Sequence, residues 1–215
     1  MDIINDILTY LSLAILLLNI FLYLKGYSLH RQAVVFKIFV LYIICMFAVL
    51  ATSNVYAMFS TDNLYLSHLY FISQFILLSL FYGRLFTRKQ QLIAHIVCIL
   101  VLIILGVHYF MEPDLWYTFS LLEVFLTSFP LVIYSIIHLY NSLNKKGAYL
   151  YINAGILMYL SSSTLIFLLG NYQFGLDEST VSNMWFMNKV LYLIYLLLML
   201  LEWKYNISQS KHKLP

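Results

Sequence analysis

Seven apolar runs, each about 20 residues long, occupy nearly the whole chain, at about 3–24, 33–57, 64–86, 92–110, 115–141, 148–170 and 180–204. Runs of that length suit helices crossing a hydrocarbon core about 30 Å thick, and they are too uniform for the roughly ten-residue alternating strands of a membrane barrel. The polar residues inside them recur at helical spacing. In the fifth run Trp116, Ser120, Glu123, Thr127, Pro130, Tyr134, His138 and Asn141 stand four then three apart, one stripe of an α-helix. In the seventh, Trp185, Asn188, Lys189, Tyr192, Tyr195 and Glu202 form a broader stripe. The pattern predicts an all-α integral membrane protein: a seven-transmembrane-helix bundle over residues 1–206 with a short basic tail, 207–215.

Composition strengthens this reading. The chain of 215 residues is 63% hydrophobic and 10% charged, against roughly 45–50% and about 25% in soluble domains. Its mean hydropathy is +0.87. The runs leave no room for a soluble catalytic or nucleic-acid-binding domain. Tyr and Trp gather near run ends, among them Tyr10, Tyr23, Tyr56, Trp116, Tyr140, Trp185 and Trp203, as in the interfacial belts of lipid-facing helices. Cys45 and Cys98 lie inside apolar runs and read as reduced core thiols.

Charge sets the orientation. Lys25, Arg31 and Lys37 flank the first connection, Arg84, Arg88 and Lys89 the third, Lys145 and Lys146 the fifth, and Lys204, Lys211 and Lys213 lie in the tail. The alternate connections carry Asp2, Asp6, Asp62, Glu112, Asp114, Asp177 and Glu178, without Lys or Arg. The positive-inside rule therefore puts the N-terminus outside and the C-terminus in the cytoplasm. The acidic start, Met1 to Asp6, lacks the features of a cleaved signal peptide. The +3 net charge is accounted for by topology, and no nucleic-acid partner is expected.

Counting residues inward from the predicted span ends, at about 1.5 Å each, puts Glu123 and Lys189 at one depth in the outer half. Ser161, Ser162, Ser163 and Thr164, with Ser73 and Gln74, reach a similar level. Ionisable groups in a span are costly and take protein or water partners, so Lys189 is the expected partner of Glu123. Two functions fit this layer. One is a pocket open to the outside, with Glu123, Lys189, Ser162, Ser163, Gln74, Asn188, Trp185 and Thr127 as its residues and Pro130 as a hinge in the fifth helix. The other is a set of interhelical hydrogen bonds with one internal ion pair. The connection 171–180, with Gly175 and two acids, is a partial lid or an ordinary loop.

Catalytic and cofactor chemistry finds no support. His95 and His108 are thirteen residues apart, about 220° around a helix, and diverge rather than share the one face that a two-haem arrangement would use. No HExxH or CxxC spacing occurs. No Gly-flanked serine near a histidine marks a nucleophile. A lysine in the seventh helix suits retinal, yet Ser73 and Gln74 stand on the third helix where a counter-ion carboxylate is expected. No enzyme activity and no cofactor are expected.

Tyr151 to Tyr172 (YINAGILMYLSSSTLIFLLGNY), Met184 to Asn206 (MWFMNKVLYLIYLLLMLLEWKYN) and Leu69 to Tyr82 (LYFISQFILLSLFY) resemble the small seven-helix membrane modules that precede some bacterial sensor histidine kinases. The resemblance implies a sensory input module in a bacterial inner membrane. Because the sequence ends at Pro215, output is expected to pass through a separate membrane or cytoplasmic signalling partner. The leading expectation is a receptor-like sensor for a small ligand or membrane partner. The alternatives are a small-solute transporter and a non-catalytic subunit of a membrane complex.

Overall fold

Short connections between long apolar helices lead sequential neighbours to run antiparallel, and the computed structural model is all-helical in its regular structure among the described residues. It describes residues 2–27, 33–59, 63–143, 148–171 and 178–208. The expected tail from 209 onward and the centre of the supposed lid, 172–177, lie outside them. The helices are α1 (Asp2–Tyr27), α2 (Val34–Met58), α3 (Tyr65–Leu85), α4 (Arg88–Met111), α5 (Leu121–Ser142), α6 (Leu150–Asn171) and α7 (Glu178–Glu202), with a 3-10 helix at Pro113–Tyr117 and a π-helical turn at Trp203–Ile207. All seven α-helices are long and apolar enough to cross a membrane. The chain is an integral membrane protein.

Two helix starts differ from the expected positions, each for a capping reason. α4 begins at Arg88 rather than near 92, because Gln90 Oε1 accepts the backbone N–H of Thr87 in a capping box. α5 begins at Leu121 rather than 115. Pro113 opens the 3-10 helix, Thr118 is extended, and the Ser120 hydroxyl accepts the Glu123 N–H at 3.3 Å as the cap of α5. Trp116 and Ser120 therefore leave the helical stripe. The rest of it survives as the inward face: Glu123, Thr127, Tyr134 and His138 are buried, while Leu122, Phe125, Phe129, Ile133 and Ile136 are exposed as a lipid-facing side.

The chain divides into two compact units, Ala33–Tyr134 and Met1–Gln32 with Ser135–Pro215, the boundary falling within α5. In the first, α3 packs on α2 and α4, and the 3-10 helix lies against the ends of α3 and α4. Phe39 and Phe81 join α2 to α3 with ring centroids 5.4 Å apart.

In the second unit α7 packs on α6 and α1. Asn19 Nδ2 donates to the carbonyls of Ile15 and Leu196, and the Tyr23 hydroxyl donates to that of Met199 at 3.0 Å, tying α1 to α7 without leaving the donors bare. Ser135 and Asn153 clasp α5 to α6: Ser135 Oγ donates to the backbone and side-chain oxygens of Asn153, and Asn153 Nδ2 donates back to the Ser135 carbonyl.

Glu202, buried at the end of α7, accepts the Tyr151 N–H at 2.9 Å and the Asn206 amide at 2.8 Å. It thereby supplies a carboxylate to the first turn of α6, where helix N-termini favour negative charge. The chain enters α6 through Tyr149 at φ 63°, a left-handed conformation that costs a non-glycine residue roughly 1–2 kcal/mol. We expect Glu202→Ala to destabilise the protein by about 1–2 kcal/mol in denaturant titration, the usual cost of losing a helix cap, and Glu202→Gln to recover most of it. Equal loss in both variants would show that the acceptor role is not what matters.

Candidate functional site

The expected site residues are divided between the two units. In the second unit, three of the four hydroxyls in the run on α6 bond back to their own helix. Ser161 donates to the Leu157 carbonyl at 2.6 Å, Ser163 to that of Leu160 at 3.4 Å, and Thr164 to that of Leu160 at 2.7 Å, the back-bonding that lets serine and threonine sit in apolar helices. Ser162 is half-buried. Lys189, about three turns into α7, donates to the backbone carbonyl of Asn5 at 3.3 Å. The Oδ1 atoms of Asn5 and neighbouring Asn188 have no hydrogen-bond partner among the described residues. Trp185 packs edge-on against Phe167, centroids 5.3 Å apart.

In the first unit, Gln74 Nε2 reaches the hydroxyls of Tyr42 and Tyr70 at 3.3 and 3.4 Å. Thr127 Oγ1 donates to the Glu123 carbonyl at 2.7 Å. Pro130 lies within an α5 that continues to Ser142, four residues before the boundary between the units.

Glu123 has partners other than the lysine expected for it. As the third residue of α5 it lies in the first turn, so its depth cannot be counted from 115. The Nδ1 atom of His68 and the hydroxyl of Tyr109 converge on its Oε2 at 2.5 and 2.6 Å. Tyr109 Oη lies 2.9 Å from the same His68 nitrogen. His68 is 0% and Glu123 1% exposed. His68 comes from the first turn of α3, Tyr109 from the last turn of α4 and Glu123 from the first turn of α5, and antiparallel packing brings those ends together.

Saturation separates this cluster from the Ser135–Asn153 clasp and the α6 hydroxyls. Glu123 Oε1 and His68 Nε2 are both buried with no hydrogen-bond partner among the described residues. Buried polar groups are paired in the great majority of cases, so two orphans in one cluster call for a reason.

Aromatic rings wall the cluster. Tyr109 and Trp116 stack with centroids 4.8 Å apart, and Trp116 stands edge-on to His68 at 5.7 Å. The same two rings line a surface groove of about 500 Å³ with Ile72, Leu102, Leu105, Gly106, Phe110 and Pro113. A methyl group built on Gly106 would meet nothing within 4 Å. The groove is thus an apolar trough whose aromatic end backs onto a carboxyl–imidazole–phenol cluster.

Such an arrangement can bind an amphiphile, with apolar contact along the trough and polar or cation–π contact at the ring end. Among the described residues no group of three or more His, Cys, Asp or Glu side chains is placed to hold a metal ion. No protein-family model, curated protein or solved structure matches the chain.

Proposed function

We propose that the protein is a receptor-like membrane sensor whose ligand site is the groove and cluster formed by the joined ends of α3, α4 and α5. The observation that carries this reading is the pair of unpartnered buried atoms, Glu123 Oε1 and His68 Nε2, set behind the ring wall of a groove large enough for a small ligand. Unpartnered buried atoms occur elsewhere too, at Asn5, Asn19 and Asn188, and it is their combination here with an adjoining groove that a purely structural polar cluster has no need of. In this reading the N-terminus is outside and the C-terminus in the cytoplasm of a bacterial inner membrane, so the cluster lies on the outer side. Glu123 and Pro130 share one unbroken helix, and α5 carries a change at the cluster past Pro130, as a hinge, toward the basic face. A separate signalling protein receives it.

Two measurements test the reading. Impermeant thiol labelling in intact cells should modify a cysteine at Glu112 and spare one at Ser208. Mild-detergent co-purification from the native host should retrieve an output protein whose recovery or activity changes in Glu123→Gln while the variant remains inserted. Solute uptake by proteoliposomes that Glu123→Gln abolishes would make the protein a transporter instead.

A further inference from the structure

The groove and the cluster constrain the chemistry of a ligand more narrowly than binding alone. The trough is apolar along Ile72, Leu102, Leu105 and Phe110, so it takes a chain or ring without polar atoms. Its aromatic end has a negative character from several sources. Tyr109 donates its hydroxyl hydrogen bond to the Glu123 carboxyl, which makes the phenol ring richer in electrons and its face more attractive to a cation. Trp116, the residue type with the most favourable face for cations, is 44% exposed beside it. Glu112 and Asp114 are exposed on the connection that carries Trp116. No lysine or arginine occurs anywhere between Lys89 and Lys145, so no fixed cation from this stretch offsets these acids. Glu123 Oε1, which only accepts when ionised, is without a donor among the described residues.

We infer that the site takes a lipophilic amine: an apolar tail in the α3–α4 trough and a protonated nitrogen at the Tyr109–Trp116 wall, held by cation–π contact and by the charge of Glu123, Glu112 and Asp114. The inference rests on the proposal that this groove is a ligand site and adds the ligand's charge and shape. An anionic amphiphile would find the carboxylates of Glu112, Asp114 and Glu123 on the segments that wall the ring end, and a neutral one would gain only the trough.

Gly106 provides a test that leaves the cluster intact. An added Cβ there meets open space, so Gly106→Leu grows into the trough from α4, and Leu102→Trp fills it from one turn earlier on the same face of that helix. The full chain in dodecyl maltoside is titrated with decylamine, decanol and decanoate, following thermal unfolding and binding. Decylamine is expected to raise the unfolding temperature and to bind at least tenfold more tightly than decanol, with decanoate weakest. Shortening the amine should weaken binding by about fourfold per methylene, the ratio supplied by burying one CH₂. Either trough-filling variant should lose the amine response while unfolding near the parent temperature without ligand, and Glu123→Gln should narrow the preference for amine over alcohol.

Decanoate or decanol binding as tightly as decylamine, and lost in Gly106→Leu, would overturn the amine assignment and leave the groove as a ligand site. If no probe binds, or if binding persists in both filled variants, the groove reading falls and the amine inference with it.

Discussion

Glu123→Ala is expected to cost about 2–4 kcal/mol of stability, the largest loss among substitutions at the His68–Tyr109–Glu123 cluster. The carboxyl receives contacts from two helices, His68 on α3 and Tyr109 on α4. Interhelical hydrogen bonds in membranes average about 0.6 kcal/mol and reach about 1.7, so the two bonds alone account for roughly 1–3 kcal/mol. Removing the acceptor also leaves an imidazole and a phenol buried without their partner, and each such orphan costs about 1–3 kcal/mol when nothing replaces the bond. Partial rearrangement, including the existing contact of Tyr109 with His68, keeps the total below the sum of these terms. A cycle with His68→Phe and Glu123→Met separates the pair from its surroundings. In unfolding by denaturing detergent the double variant should recover part of the loss of the single ones, because apolar replacement of both partners removes the orphans. Strict additivity would show that the short His68–Glu123 contact contributes no coupling.

The seven helices and the inward face of α5 were legible in the sequence because both follow from periodicity. Apolar length marks the spans, and the spacing Glu123, Thr127, Tyr134, His138 marks one side of a helix whichever neighbour it meets. The partner of Glu123 was not legible by the same means, because its depth was counted from the apolar run and not from the helix. The missing signal was Ser120-Leu121-Leu122-Glu123, the spacing of a capping box ahead of an apolar run. Read as a cap, it starts α5 at Leu121 and puts Glu123 in the first turn. The starts of α3 and α5 then share an end with the finish of α4, which brings His68 and Tyr109 within reach. The serine run on α6 is ambiguous for a different reason. Hydroxyls can satisfy themselves on the preceding turn of their own helix, so polarity in a span does not by itself imply a polar neighbour. The groove depends on Gly106 and on the path of the 3-10 helix, and neither leaves a periodic trace.

At Gly155, by contrast with Gly106, even one methyl group is expected to be costly. A Cβ there would lie 2.6 Å from Cδ2 of Tyr195 and 3.3 Å from its Cε2, with Leu198 Cδ1 at 3.4 Å. Those are atoms of a ring with little freedom to withdraw. Tyr195 is buried and lies nearly parallel to the Tyr159 ring, 5.7 Å between centroids and 3° between planes. Overpacking a tight interior typically costs about 1–3 kcal/mol, so Gly155→Ala should fall in that range although alanine favours a helix by roughly 1 kcal/mol over glycine. Gly155→Leu should exceed it and separate α6 from α7. Gly106→Ala supplies the opposite sign: its methyl meets open space, and the propensity gain should appear as a small rise in stability. The clash is specific to the tyrosine ring, so Gly155→Ala combined with Tyr195→Leu should cost less than the two changes summed. Parent-like unfolding of Gly155→Ala would mean that the ring moves aside freely and that close approach at Gly155 does not hold α6 against α7.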